Sequence, residues 1–514
     1  MLPLQLQPES HVPLYIQLRD QLKALVHGGD LRPGDRIPAS RELALQLGVH
    51  RTTVANAYAE LESEGLIQGH VGRGTFIRGN GHTLNFSPPA PPGLGTRSGL
   101  QWQSLFADER GDDALSRLMA GEDDHVLSFV MARPAEKFFP VEDFCVCVNA
   151  ALRRESSAIL QFGPSDGYPP FKAALLELLR RDGIAAKDEN LLVTSGCQQA
   201  LDLLRKVFLR PGDAVILENP AYPGAIASFG GARVRCLGVP VKTHTEPGGT
   251  LGLDLEETEA TLATNRVKLI VLTPDFHNPT GTSMPLASRR KLLELASRYQ
   301  VPVVEDHIYA RLELGGEPLP SLKQLDRDNL VIQIDSFSKV AFPGLRVGWI
   351  VAAAPVIERL RFMKQTSDLH TDQLAQAALA EFLRRGMLTR HLAHMRKVYA
   401  SRLAAMHEAL QKYMPEGVRW TRPDGGMCLW LELPPGFDAS EFLIHLRERG
   451  VLFAPGRHFY VQNPQPNTLR LAFPWLDEKH IVKGIATFAA LLREEMRKRG
   501  RGARKSEHAN VAFV

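Results

Sequence analysis

The sequence lacks what would commit it to a membrane, a disulfide framework or a metal cage. No uninterrupted apolar run approaches the roughly 18 residues needed to span a bilayer. The N-terminus, MLPLQLQPES, has neither the basic start nor the long apolar core of a secretory signal. Cysteines number only 5. Cys145, Cys147, Cys197, Cys236 and Cys428 are scattered without CxxC spacing, which argues against zinc and disulfide patterns and fits a reducing compartment. A cytoplasmic location is therefore the expectation, with no metal and no membrane partner. Charge of one sign is also scarce: 61 Lys+Arg against 57 Asp+Glu leave +4, too little to imply a polyanion partner from the total alone. What remains is 514 residues, 44% hydrophobic and 23% charged, a globular composition long enough for two or three domains.

The first eighty residues hold a compact pattern. Leu14, Leu18, Leu22 and Leu25 recur at helical spacing. Leu31 to Arg36 reads as a turn, with Pro33 and Gly34 where turns use them. Ser40 is placed to cap a second helix, with Glu42 in its first turn, and Gly48 stops it. A third helix carries Val54, Ala57, Tyr58 and Leu61 on one face. Only Gly48-Val49-His50 separates the two short helices, which is helix-turn-helix spacing. Leu66–Gln68 and Thr75–Ile77 then flank a glycine-rich tip, as the two strands of a wing. Acids and bases balance over this stretch, and a small helical cap with a hairpin is the alternative reading. Placement favours DNA. Arg36, Arg41, Arg51 and Arg73 fall at the turn, the two helix starts and the wing tip, and His50, Arg51, Thr52 and Thr53 open the third helix.

This stretch, LRPGDRIPASRELALQLGVHRTTVANAYAELESEGLIQGHVGRGTFI, resembles the winged helix-turn-helix of the GntR transcription regulators over residues 11–78. The resemblance implies contacts to double-stranded operator DNA from Arg41, Arg51, Thr52 and Thr53, with Arg73 in the minor groove. Residues 79–125, with Pro88, Pro89, Pro91 and Pro92, read as a semi-extended linker.

From residue 126 to 492, strand-like runs alternate with amphipathic helices, the pattern of an α/β body around a mostly parallel sheet. The runs include Leu191–Thr194, Ala214–Leu217, Leu269–Thr273, Val301–Glu305 and Leu330–Ile334. In such sheets function collects at the C-terminal ends of strands. The first run is followed by Gly196, Cys197 and Gln198 opening a helix, where free amides suit a phosphate. The second is followed by Tyr222, the third by Asn278, the fourth by Asp306 and Tyr309, and the fifth by Ser336, Ser338 and Lys339, with Arg346 seven positions on. Lysine, unlike arginine, can lose its proton and form an imine with an aldehyde. Pyridoxal 5'-phosphate (PLP) is such an aldehyde, with a phosphate that calls for hydroxyls and a guanidinium. Asp306 then suits a pyridinium nitrogen, Tyr309 and Asn278 the ring oxygen, and Tyr222 the ring face.

The motifs TSGCQQAL, ENPAYPGA, HNPTG, EDHIYARL and SFSKVAFPGLRVGW resemble the fold-type I, class I/II aminotransferases. That resemblance implies a mostly parallel large domain with a small α+β domain, Lys339 as the Schiff-base lysine, and Arg470 as the clamp for an effector's carboxylate. Phe162 stands where many relatives carry a tyrosine reaching the neighbouring subunit's cofactor. His277 reads as a turn residue, and residues 493–514 as a basic, solvated tail. The combination resembles the MocR/GabR regulators. It implies a head-to-tail homodimer in which an amine, an amino acid or PLP exchanges at Lys339 and alters DNA binding. An active aminotransferase that has kept a DNA reader is the competing expectation.

Overall fold

The computed structural model describes residues 4, 6–7, 12–27, 31, 35–63, 66–70, 74–77, 126–231, 233–243 and 251–511. The chain divides into two compact units, Met1–Ser104 and Leu105–Val514. The expected linker, 79–125, and the expected wing-tip residue Arg73 lie outside the described residues.

In the first unit α1 (Leu14–His27), α2 (Ser40–Leu47) and α3 (Arg51–Ser63) pack around Leu18, Leu22, Leu43, Val54, Ala57 and Leu61. Gly48 ends α2 in the left-handed region at φ 65°, where its amide closes on the Ala44 carbonyl. Ser40 is not the cap. The first helical amides, of Glu42 and Leu43, donate to the carbonyl of Ala39, so Ala39 stands at the cap and Ser40 is already helical. Strands β1 (Arg36–Ile37), β2 (Ile67–His70) and β3 (Gly74–Ile77) form an antiparallel sheet of order β1-β3-β2. The expected turn residue Arg36 thus lies in a strand, paired opposite Phe76.

In the second unit β4 (Leu127–Ser128) pairs in parallel with a strand near the C-terminus. The main sheet uses β5 (Leu191–Thr194), β6 (Ala214–Asn219), β7 (Arg235–Lys242), β8 (Gly252–Leu253), β9 (Val267–Leu272), β10 (Val303–Asp306), β11 (Val331–Ser336) and β12 (Gly348–Val351). Their order is β5-β12-β11-β10-β9-β6-β7-β8. The inner run β11-β10-β9-β6-β7 is parallel, while β12 runs against both of its neighbours. Every residue of β5, β11 and β12 is buried, as a sheet covered by helices on both faces requires. A smaller antiparallel sheet joins β13 (Arg419–Trp420), β14 (Cys428–Glu432), β16 (Ala454–Pro455) and β17 (Thr468–Ala472), and β15 (Val451–Leu452) is the partner of β4. The last helix runs Glu478–Val511, so the stretch from residue 493 continues a helix where a separate tail was expected.

Candidate functional site

Five strand ends of the large sheet converge on one cavity of about 130 Å³. Its walls are Cys197, Gln198, Tyr222, Thr273, Asn278, Asp306, Ile308, Tyr309, Ser336, Ser338, Lys339 and Arg346. The fold thus gathers every expected cofactor residue except Gly196, which directly precedes Cys197. Thr273 and Ile308 line the same cavity and were not foreseen, since neither is a residue type that announces chemistry.

The floor is a row of carboxylates, Glu218 and Asp335 buried and Asp306 half-buried. Glu218 ends near His277, with Nε2 3.1 Å from Oε2, and accepts the Thr273 amide at 2.9 Å. Asp335 is paired with Arg311, with His307 Nδ1 at 3.4 Å, and accepts the Ser336 amide at 2.7 Å. Asp306, at the end of β10, accepts the Ile308 amide at 3.3 Å and has no cation within ion-pair distance among the described residues. Burial lifts its carboxyl to about 7; the Ile308 amide opposes this, and Asp335 and Glu218 add to it. Asp335 has the Arg311 guanidinium and Glu218 the His277 ring beside it, while Asp306 faces the cavity with no such partner among the described residues.

Lys339 follows β11 in the turn beyond Phe337. Its Nζ donates to the carbonyl of Ala132 at 2.7 Å and lies 5.8 Å from the Tyr309 ring centre. Burial, and then the Arg470 guanidinium, pull its ammonium down to about 8. An amine so placed has a nucleophilic fraction near neutral pH.

Arg470 projects from β17 and is 6% exposed. It donates to Asn278 Oδ1 at 2.8 Å and to the carbonyl of Val130, and its guanidinium lies 4.8 Å from the Phe459 ring centre. Its Nε has no partner, and no carboxylate pairs with it among the described residues. Asn278 also donates to the Tyr309 hydroxyl at 3.2 Å, so Arg470, Asn278 and Tyr309 form one chain of contacts. The carbonyls of Val130 and Ala132 were invisible in sequence, because a backbone acceptor has no residue-type signature.

At the other end of the cavity Gly196 sits at φ 85°, and a Cβ there would meet Arg346 Nη2 at 2.7 Å. Only glycine lets the guanidinium come so close. Arg346 donates to Ser338 Oγ at 3.4 Å and to the Ser195 carbonyl at 3.3 Å. Ser336 Oγ accepts the Ser338 amide at 3.2 Å. Helix start, two hydroxyls and an exposed guanidinium make an anion cradle. Tyr222, 39% exposed, lies on the wall. Phe162 is 76% exposed and is not among the cavity's walls; its ring packs edge-on to His370.

In the first unit, Arg36, Arg41, His50, Arg51 and Thr52 are exposed, and Ser40 and Thr53 half-buried. His50 immediately precedes α3. Its Nδ1 accepts the Thr52 amide at 3.4 Å and lies 2.8 Å from Thr52 Oγ1. Arg19 pairs with Glu60 at 2.6 Å and so ties α1 to α3.

The aminotransferase class I and II model matches residues 139–488, and that of the bacterial regulatory proteins of the gntR family matches residues 14–77. Aromatic-amino-acid aminotransferase 1 of Thermococcus litoralis is 36% identical over 404 residues, 78% of this chain and 96% of that protein. The HTH-type transcriptional regulator TauR of Rhodobacter capsulatus is 31% identical over 495 residues, 95% of this chain and 98% of that protein. Among solved structures, the α-aminoadipate aminotransferase LysN of Thermus thermophilus, complexed with N-(5'-phosphopyridoxyl)-L-leucine, superposes with a TM-score of 0.70 at 36% identity, over 77% of this chain and all of that one.

Proposed function

Because the chain belongs to the class I and II aminotransferase family and, with its gntR-type reader, to the MocR/GabR-type regulators, we propose that its aminotransferase-like body is a sensor: an amine, an amino acid or PLP acts at Lys339 and changes how the reader holds DNA. The cofactor of such a body is PLP, and the donor set here suits it. Asp306 is a half-buried carboxyl without a cation beside it among the described residues, Lys339 an amine that loses its proton near neutral pH, and the Gly196–Gln198 turn with Ser338 and Arg346 an anion cradle. When bound, PLP supplies an electrophilic aldehyde and a ring that withdraws electrons.

The chain's own groups then divide the work. Asp306 would hold the ring nitrogen's proton, Asn278 and Tyr309 would hydrogen-bond the ring oxygen, and Tyr222 would cover one face. Arg470, a buried guanidinium without an anion, takes the effector's carboxylate. Lys339 would hold the aldehyde as an imine, and a primary amine taking its place on that carbon would return Lys339 as a neutral amine beside Arg470. The resulting change in the body biases a two-state dimer. In the reader, α3 enters the major groove with His50, Arg51, Thr52 and Thr53, while Arg36, Ser40 and Arg41 face phosphates. We infer a cytoplasmic, head-to-tail homodimer; the exposed Val141, Val146, Leu160 and Phe162 offer apolar surface to a second copy.

The observation that carries this reading is a half-buried carboxyl, Asp306, and a buried guanidinium, Arg470, neither with an ionic partner among the described residues, around one neutralisable lysine, in a chain that also has a gntR-type reader. A second reading, an active aminotransferase that has kept its reader, is favoured by the likeness to the Thermococcus litoralis enzyme. The experiment maps DNA bound by the full-length protein with and without PLP, then titrates the recovered sites in the presence of a panel of amino acids. Operator affinity of the wild type is expected to change by roughly 5- to 150-fold with the right effector, and that of Lys339→Ala not to respond. Steady turnover of amino acid and keto acid, with no specific DNA site recovered, establishes the second reading instead.

A further inference from the structure

Behind the Ser195–Gln198 turn lies a cluster that none of the groups above includes. Asp368 ends the helix Ala354–Asp368. Its Oδ2 accepts from Gln199 Nε2 at 2.6 Å and from Ser195 Oγ at 3.3 Å. Lys364, whose side chain is fully buried, holds both oxygens, at 2.7 and 2.9 Å. Gln199 in turn accepts the Ser195 amide at 2.7 Å, and Thr371 Oγ1 lies 3.4 Å from Ser195 Oγ. One carboxylate thus grips both flanks of Gly196–Gln198: the residue before the glycine and the residue after the glutamine. Burial alone would lift the Asp368 carboxyl, but the hydrogen bonds from Lys364, Gln199 and Ser195 bring it below the usual carboxylate value.

The backbone beside it is strained. Leu369 sits at φ 65°, ψ −65°, and the His370 amide donates back to the Asp368 carbonyl at 2.8 Å. This is the γ-turn of the unfavourable hand for an L-residue. Such geometry persists only where the surroundings over-determine it. Here the surroundings are the Asp368 cluster on one side and Thr371, which reaches the same serine, on the other.

A negative charge behind an anion cradle would weaken it if left bare. The Lys364 ammonium cancels that charge, so what reaches the turn is one fixed acceptor oxygen, Oδ2, of an ion pair without net charge. We propose that Asp368 is a positioning residue for the cofactor's phosphate: by fixing Ser195 and Gln199 it holds the Gly196–Gln198 turn in the shape that receives a phosphate, while taking no part in binding the ring or the aldehyde. The proposal rests on the assignment of this turn, with Ser338 and Arg346, to the phosphate.

The test uses the full-length apo protein and two aldehydes that differ only in the phosphate, PLP and pyridoxal, titrated by absorbance. The wild type prefers PLP. Asp368→Ala lowers PLP affinity about ten- to a hundredfold, the usual cost of removing an outer-shell partner, and leaves pyridoxal affinity unchanged. Equal losses for both aldehydes would mean that Asp368 only supports the fold, and overturn the proposal. A wild type that does not distinguish PLP from pyridoxal removes the phosphate assignment itself, and the role of Asp368 with it. Should Asp368→Ala not fold because Lys364 is left without its carboxylate, the double variant Lys364→Met, Asp368→Ala is read in the same way.

Discussion

The reader and the body place charge in opposite ways. In the reader Arg36, Arg41 and Arg51 are exposed, and its core is a single small apolar cluster. In the body Asp306 and Lys339 line one cavity, half-buried, and Arg470 lies buried near Lys339, and desolvation shifts all three. The contrast follows from what each part must meet. DNA brings its own charge and counterions, so arginines proposed to meet it can wait fully hydrated. A small cofactor cannot supply a solvent, so the body must keep unmatched charges ready, and these cost stability until a ligand matches them. Function and stability should therefore separate in the reader and oppose each other in the body.

The largest test of that difference is Asp306→Asn. The folded carboxyl titrates near 7 against an ordinary 3.8. The folded chain therefore binds this proton more tightly than the unfolded one. Between pH ~4 and 7 the unfolded state holds fewer protons, so stability falls as pH rises, and the full penalty stands above 7. A shift of that size is worth at most about 4 kcal/mol, and water in the cavity reduces it. Without cofactor, Asp306→Asn is expected to be more stable than wild type at pH 8, with the two converging below about pH 4. Its PLP affinity falls instead, because a carboxylate–pyridinium pair at about 4 Å contributes on the order of 4 kcal/mol. Urea unfolding at both pH values and a PLP titration measure the two effects. An apo variant no more stable than wild type would show that Asp306 is already matched, and the opposition would fail.

Arg51→Ala is the counterpart in the reader. The side chain is exposed and makes no ion pair among the described contacts. If it reads a base, operator binding weakens by about 1–3 kcal/mol, while stability changes by less than about 0.5 kcal/mol. A gel shift and a thermal melt on one preparation give both numbers. An unchanged gel shift takes Arg51 out of the interface.

Much of both regions was legible beforehand, and the parts that were not share a cause. The β5 run, Leu191–Thr194, was placed to the residue, and the strand-end rule led from five apolar runs to one cavity. These succeeded because a buried parallel strand is a continuous apolar word and its C-terminal neighbours are chemically distinctive. Strand β7 was missed because its sequence, RCLGVPVK, contains a glycine and a proline; β12 because GWIV opens on a glycine directly behind the lysine turn and reads as part of that motif. Ser40 was expected as a cap by residue type, whereas the helix begins one residue earlier on the Ala39 carbonyl. The Val130 and Ala132 carbonyls, the Glu218–His277 contact and the Asp368 cluster all pair residues far apart in sequence, through atoms every residue has or through charges with ordinary uses. Local pattern cannot register such pairings; only the sheet order brings them together.

The smallest effect belongs to His50, which cuts across the division between regions. Its Nδ1 caps α3 through the Thr52 amide, while its other ring nitrogen has no partner among the described contacts. His50→Ala should cost the reader about 0.5–1 kcal/mol of stability through the lost cap. His50→Asn supplies a strong cap of another shape and should restore that stability. If the imidazole also meets the operator, Asn restores only part of the DNA affinity lost in the alanine variant. If Asn restores both, His50 acts on DNA solely by holding the helix start, and a reader residue then works as the body's residues do, through the energy of the fold.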